Sequence, residues 1–316
     1  MQPPSRRTFL ALGLLTTLTA CTSGSDEHRT TAEPPRDPDT PARLRAVAAT
    51  DRLLGAYDGL LAAPGARTDL LQPLREDTVR HRAALAQGLP TATPSAPDPA
   101  SDSPSPTGGP TGSAATLADL AALERQSADS HLHDLEGAGP DLARLLAAIA
   151  ASKALHAAAL GDQTPVTTPE GRTATTPETT AAVPALQSAL AAEHAAVYGY
   201  GMVGAHLPDD RQRADARSTH AAHQARRDGW QRLLADATAS PAPAAGGYQL
   251  PFPVTSPADA TRLAVHLETR LTTVYADLVA TVPAPYRPQA ATALRETALR
   301  ARHWGAPATA FPGVPD

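Results

Sequence analysis

Cysteine occurs once, at Cys21, and lysine once, at Lys153. A single thiol excludes an internal disulfide and a structural zinc–thiolate site. Aromatic residues make up 3% of the 316-residue chain, so its cores must be built from Leu and Ala, which suits close-packed helices and not a β-sandwich. No stretch sustains the period-2 alternation of β-branched residues that a half-buried strand needs. Glycine-rich phosphate loops, HExxH and GxSxG patterns are also missing. No Ser, His or Asp stands in a nucleophile context, and the reading leans away from an enzyme. With a net charge of −5 and its arginines scattered, the chain lacks the basic patch of a nucleic-acid binder.

What is present begins at the N-terminus. Ser5-Arg6-Arg7-Thr8-Phe9-Leu10 resembles the twin-arginine export consensus, and an apolar run from Phe9 to Leu18 follows. That run is too short for a permanent span. Leu18-Thr19-Ala20-Cys21 resembles a bacterial lipobox, whose cysteine is acylated and becomes the first mature residue. The alternative is an ordinary secretory signal with an incidental cysteine. Residues 1–21 are therefore expected to direct export through Arg6 and Arg7 and to anchor the protein by Cys21 on the extracytoplasmic face of the cell membrane. Loss of the two arginines takes the net charge to −7. Residues 22–40, polar and proline-rich, read as a flexible tether.

The body reads as all-α, in two tandem four-helix units, the alternative being one irregular eight-helix body. Helical periodicity covers about 41–62, 67–88, 114–136 and 139–160, then about 181–206, 209–238, 256–281 and 285–304. Between the groups, 161–180 has linker composition, and 307–316 is a tail. Each group has short joins after its first and third helices and a long one after its second. In the first unit, 41–160, the long join is a Pro/Ser/Thr/Gly insert, 90–112, expected to be disordered. In the second, 181–306, it is "SPAPAAGGYQLPFPVTS". A single long crossover is the ferritin-like arrangement of a four-helix bundle.

Placing residues at about 100° per position puts several polar groups on apolar stripes. Glu193 shares a face with Leu186, Leu190, Val197 and Tyr200, while His194 lies at its edge. His220 and His223 align with Ala216, Trp230 and Leu234. Glu268 and His266 flank the stripe Leu263, Leu267, Leu271, Val274. In the first unit His81, Glu124, His131 and His156 align inward, and Asp51 and Asp58 border a stripe of Val47, Leu54 and Leu61. Burying such groups unpaired costs about 1–3 kcal/mol each, so they should meet each other, water or a metal. Glu193 is expected within hydrogen-bonding reach of His220 or His223. Gly199, Gly201 and Gly204 are expected to admit a close neighbouring helix.

The segments "SALAAEHAAVYGYGMVGAHL", "ADARSTHAAHQARRDGWQRLL", "YQLPFPVTSPADATRLAVHLE" and "LRETALRARHW" resemble a ferritin-like domain family of unknown function found in exported lipoproteins of high-GC Gram-positive bacteria. The similarity covers residues 182–306; the Glu-His helix and YxLPFPV carry it. It implies a four-helix ferritin-like fold and no established reaction. Bundle di-iron sites take a Glu from each of two helices and Glu-x-x-His from the other two. Against that pattern Glu193 fits the first helix and Glu268 the third. The second helix offers His220-x-x-His223, and the fourth has Leu299 where His is needed after Glu296. The expectation is a cofactor-free bundle with a binding or structural role toward a protein partner or small ligand. The alternative is a redox or storage protein holding iron or manganese at Glu193, His220, His223 and Glu268.

Overall fold

The computed structural model describes residues 37–89 and 116–314. The expected export signal, most of the tether and the 90–112 insert lie outside the described residues. Those described are all-helical, with no strand among them: α1 (Thr40–Leu61), α2 (Thr68–Ala86), α3 (Leu117–His133), α4 (Pro140–Ala159), α5 (Thr176–His206), α6 (Asp210–Asp236), α7 (Pro257–Thr281) and α8 (Arg287–His303), with a 3-10 turn at Ala284–Tyr286 before the last.

Helix starts follow from local chemistry. Asp209 accepts from the Gln212 amide at 2.9 Å and Ser256 from the Asp259 amide at 3.1 Å, satisfying orphan donors of the first turn. At α5 the Glu178 carboxylate accepts from both the amide and the hydroxyl of Thr175, at 2.9 and 2.7 Å. This capping box starts α5 inside the stretch 161–180 expected to be linker, so the linker ends at residue 175.

The two halves repeat one adjacency. The first helix packs on the second, the third on the fourth, and the first on the third, in α1–α4 and again in α5–α8. They are not separate bodies, however. Residues from 37 onward form one compact unit. A single hydrophobic cluster runs from Ala42 and Leu132 through Leu146 to Leu190, Tyr275 and Leu294. The joint is α4, which packs on α7 and α8 as well as on α3. Its Ala-rich sequence is buried on nearly every side, so a segment long and apolar enough to cross a membrane is here the central helix of a bundle. Arg287, at the start of α8, adds a polar tie by donating to the Leu135 and Ala138 carbonyls at 2.7 and 2.6 Å.

The long join between α6 and α7 lies along α5. The Gln187 side chain donates to the Ser240 carbonyl at 2.8 Å and accepts from the Ala242 amide at 2.9 Å. His194 donates to the Ala242 carbonyl at 3.2 Å. The YQLPFPV segment then sends Leu250, Phe252 and Val254 into a second core cluster with Tyr200, Val203 and Trp304. Of the three glycines in α5, Gly199 is the one a helix crowds: a Cβ there would lie 2.6 Å from Leu267 Cδ1. Gly201 faces open space and Gly204 is in ordinary contact.

Because the halves share α4, unfolding should be one cooperative transition. Leu146→Ala is expected to lower stability by about 2–5 kcal/mol while keeping that single transition; calorimetry resolving two would show independent halves.

Candidate functional site: two buried glutamate networks

In the second half α5, α6, α7 and α8 each send a polar side chain to the bundle axis. Glu193 and His223 meet at 2.8 Å (Oε2 to Nδ1), and the other ring nitrogen of His223 donates to Glu268 Oε1 at 3.0 Å. Tyr200 donates to Glu268 Oε1 at 2.6 Å, and Tyr275 donates to Glu193 Oε1. Arg300 on α8 reaches Glu268 Oε2 at 3.3 Å. Glu193, His223 and Glu268 are wholly inaccessible to solvent. All four carboxylate oxygens therefore have a protein donor, and both carboxylates have a cationic partner.

An imidazole that donates from both nitrogens is an imidazolium. Burial alone would depress the His223 pKa, but the hydrogen bonds and charges of Glu193 and Glu268 outweigh it and lift it from 6.5 to about 9. Burial would likewise raise the Glu268 carboxyl, yet His223, Arg300 and Tyr200 hold it below its ordinary value. Desolvation and the adjacent carboxylates push the phenols of Tyr200 and Tyr275 up, so both stay protonated donors.

The first half builds the same environment around Glu124. Tyr57 donates to Glu124 Oε1 at 2.6 Å, His156 donates to the same oxygen at 3.0 Å, and Lys153 reaches Oε2 at 3.4 Å. Glu268 receives its tyrosine, histidine and cation on the same oxygens at 2.6, 3.0 and 3.3 Å. The positions correspond too: Tyr57 sits on the first helix of its half as Tyr200 does, and Lys153 on the fourth as Arg300 does. The histidine differs, coming from the fourth helix in one half and the second in the other. Burial is again opposed, by Lys153 and His156, and Glu124 is held low. His156 also reaches Asp77 Oδ2 at 3.4 Å.

The correspondence breaks at a second place as well. Glu193 lies seven residues before Tyr200, whereas Thr50 lies seven before Tyr57; Tyr275 follows Glu268 by seven, and His131 follows Glu124 by seven. Where Tyr275 donates to Glu193, Thr50 turns its hydroxyl to the Ala46 carbonyl at 2.8 Å, and neither ring nitrogen of His131 has a partner among the described residues. Burial, together with the charge of Lys153, pushes the His131 pKa well below its ordinary value. Its neighbour His81 is pushed down to about 3, chiefly by burial.

Of the residues expected to cluster, the structure unites Glu193, His223 and Glu268 and leaves His220 half-buried, apart from them. The α6 face passes through Ala216, Thr219 and His223, a small rotation that carries His220 outward. Glu268 is central rather than flanking, because α7 buries Ala264, Glu268, Leu271 and Tyr275. In α1 the buried face is Ala46, Thr50, Leu53 and Tyr57, one position off the expected stripe of Val47, Leu54 and Leu61. Glu124 and His156 lie in the second network, while His81 and His131 border it. Tyr57, Lys153, Tyr200, Tyr275 and Arg300 are polar partners that the apolar stripes do not reveal, although heptad offsets from Thr50, Glu193 and Glu268 pick out the three tyrosines.

The arrangement defines a class: an all-helical protein whose interior holds closed hydrogen-bonded charge networks rather than an open cleft. Residues 185–316 match a domain of unknown function, DUF4439, so the chain carries that domain in its second half. The crystal structure of a conserved hypothetical protein, rv2844, from Mycobacterium tuberculosis is 40% identical, covering 40% of this chain and 89% of that one with a TM-score of 0.38. No curated protein matches the chain.

Two outcomes follow from the networks. The His223 pKa is raised from 6.5 to about 9 on folding, so its stabilisation is full below about pH 6.5 and is lost as the pH rises through about 9, roughly 3 kcal/mol in all. Urea unfolding across that range should show the decline, and His223→Gln should flatten it. His131→Leu, which removes an unpartnered buried imidazole, is expected to raise stability by roughly 1–3 kcal/mol, measured by the same titrations.

Proposed function

We propose that this is a non-enzymatic envelope protein, exported through Arg6 and Arg7 and held on the extracytoplasmic face by acylated Cys21, whose bundle serves a binding or structural role. The observation that carries the non-enzymatic part is the engagement of every oxygen of Glu193 and Glu268 by a tyrosine, histidine or arginine. A general acid or base must face a substrate, and these groups face only one another. The twin-arginine and lipobox patterns support the address.

A ferritin-like reading requires these side chains to hold iron or manganese. The donor set does not fit that demand. His223 commits both nitrogens, Arg300 brings a positive charge to the carboxylate a metal would use, and His220 stands apart. Among the described residues no three His, Cys, Asp or Glu side chains are spaced to hold one ion. The network balances two carboxylates with an imidazolium and a guanidinium. That balance gives it an architectural role, fixing which helix faces which.

The test is to recover the protein from its native membranes. Wild type should partition into detergent and Cys21→Ser into the aqueous phase, with iron and manganese well below one per chain. Stoichiometric metal lost in Glu193→Gln would overturn the closed-network reading, and detergent partitioning unchanged by Cys21→Ser would overturn the anchor.

A further inference from the structure

A cavity of about 390 Å³, lined by no member of either network, lies between α4, α7, α8 and the C-terminal strap 306–314. Leu155, Ala298, Ala301, Pro307, Phe311 and Val314 give it apolar walls. Thr272 also lines it, but its hydroxyl is spent on the Thr269 carbonyl at 2.7 Å. Among the described residues Arg302 is the one charged side chain on the lining, which contains no acid. It is exposed, and its guanidinium donates to the Ala306 carbonyl at 3.2 Å, which stations it by the strap.

The roof is fastened to the rest of the protein. His81 donates to the Ala310 carbonyl at 2.7 Å, and the Phe311 ring stands edge-on to His81 with centroids 5.3 Å apart. Gly313, at φ +80°, presses so close that a Cβ would fall 2.3 Å from the Thr272 carbonyl oxygen; only glycine passes there. Arg144 reaches the Gly313 carbonyl at 3.5 Å. The cavity is thus a fixed space of ordinary ligand size, about 300–1,000 Å³, mostly apolar, with Arg302 as its charged group and Thr269, Thr272, Thr273 and Thr309 as its other polar lining.

We propose that this cavity binds a single-chain aliphatic carboxylate, the chain lying against the apolar walls and the carboxylate meeting Arg302. The apolar lining selects a hydrocarbon chain, and a cation with no acid among the described lining residues selects an anionic head. The proposal does not depend on the buried networks or on the lipid anchor.

Calorimetric titration of the full mature chain with octanoate, decanoate and dodecanoate tests it. Saturable binding at one site is expected, tightening about three- to fourfold per added methylene, as burial of each CH₂ predicts. Arg302→Gln should weaken dodecanoate about three- to tenfold and leave dodecanol unchanged. Ala301→Phe, which fills the cavity, should abolish binding of both; thermal melts establish whether that variant folds, and the exposed Arg302→Gln decides if it does not. Absence of saturable binding, or dodecanoate affinity unaffected by Arg302→Gln, would overturn the proposal. Saturable binding of lysophosphatidylglycerol with none of dodecanoate would also overturn it, in favour of a phospholipid.

Discussion

A carboxylate withdrawn from water into a helical bundle must be met by donors from the surrounding helices, and Glu124 and Glu268 impose that condition on everything around them. Each is wholly buried, and each recruits a tyrosine from the first helix of its half, a histidine, and a cation from the fourth. Satisfied in this way the group stabilises a single arrangement; short of one partner it would carry a desolvation penalty of several kcal/mol. The helices cannot rotate or slide without breaking several of these bonds at once. Hydrophobic contact alone would be more forgiving, since cores rich in Ala and Leu pack in many near-equivalent ways.

The two halves meet this condition separately and are then joined by packing. Helix α4 carries Lys153 and His156 toward Glu124 while its other faces lie against α7 and α8. Its small side chains permit the close approach on all sides. Arg287 completes the joint by donating to the Leu135 and Ala138 carbonyls in the turn between α3 and α4. Polar networks thus fix each half internally, and an alanine-rich helix makes them one body.

Much of this was legible in the residues themselves. The number of helices, the repeated short–long–short joins and the inward direction of Glu193, His223, Glu124 and His156 followed from a 3.6-residue period. The misplaced helix faces have one physical origin. A stripe read from Leu and Val alone settles on the wrong neighbour when the true face is occupied by Ala, Thr and Tyr. That misplaced the face of α1 by one position, hiding Tyr57, and put Glu268 at the edge of a helix where it is central. Lys153 and Arg300 were not readable as partners, since nothing local distinguishes a long cation that reaches a buried carboxylate from one that reaches solvent. The early start of α5 lay in the pairing of Thr175 with Glu178, which proline-rich surroundings disguised as linker.

The strap after α8 bears on what kind of unit the second half is. By sequence kinship the domain spans residues 185–316, yet the Ala310 carbonyl takes its hydrogen bond from His81, and Phe311 rests on that same ring. The matched segment is therefore narrower than the segment that folds as a whole. Its last turn of chain borrows a surface from a helix more than two hundred residues upstream. A boundary drawn from the family match cuts through contacts that the folded chain treats as interior.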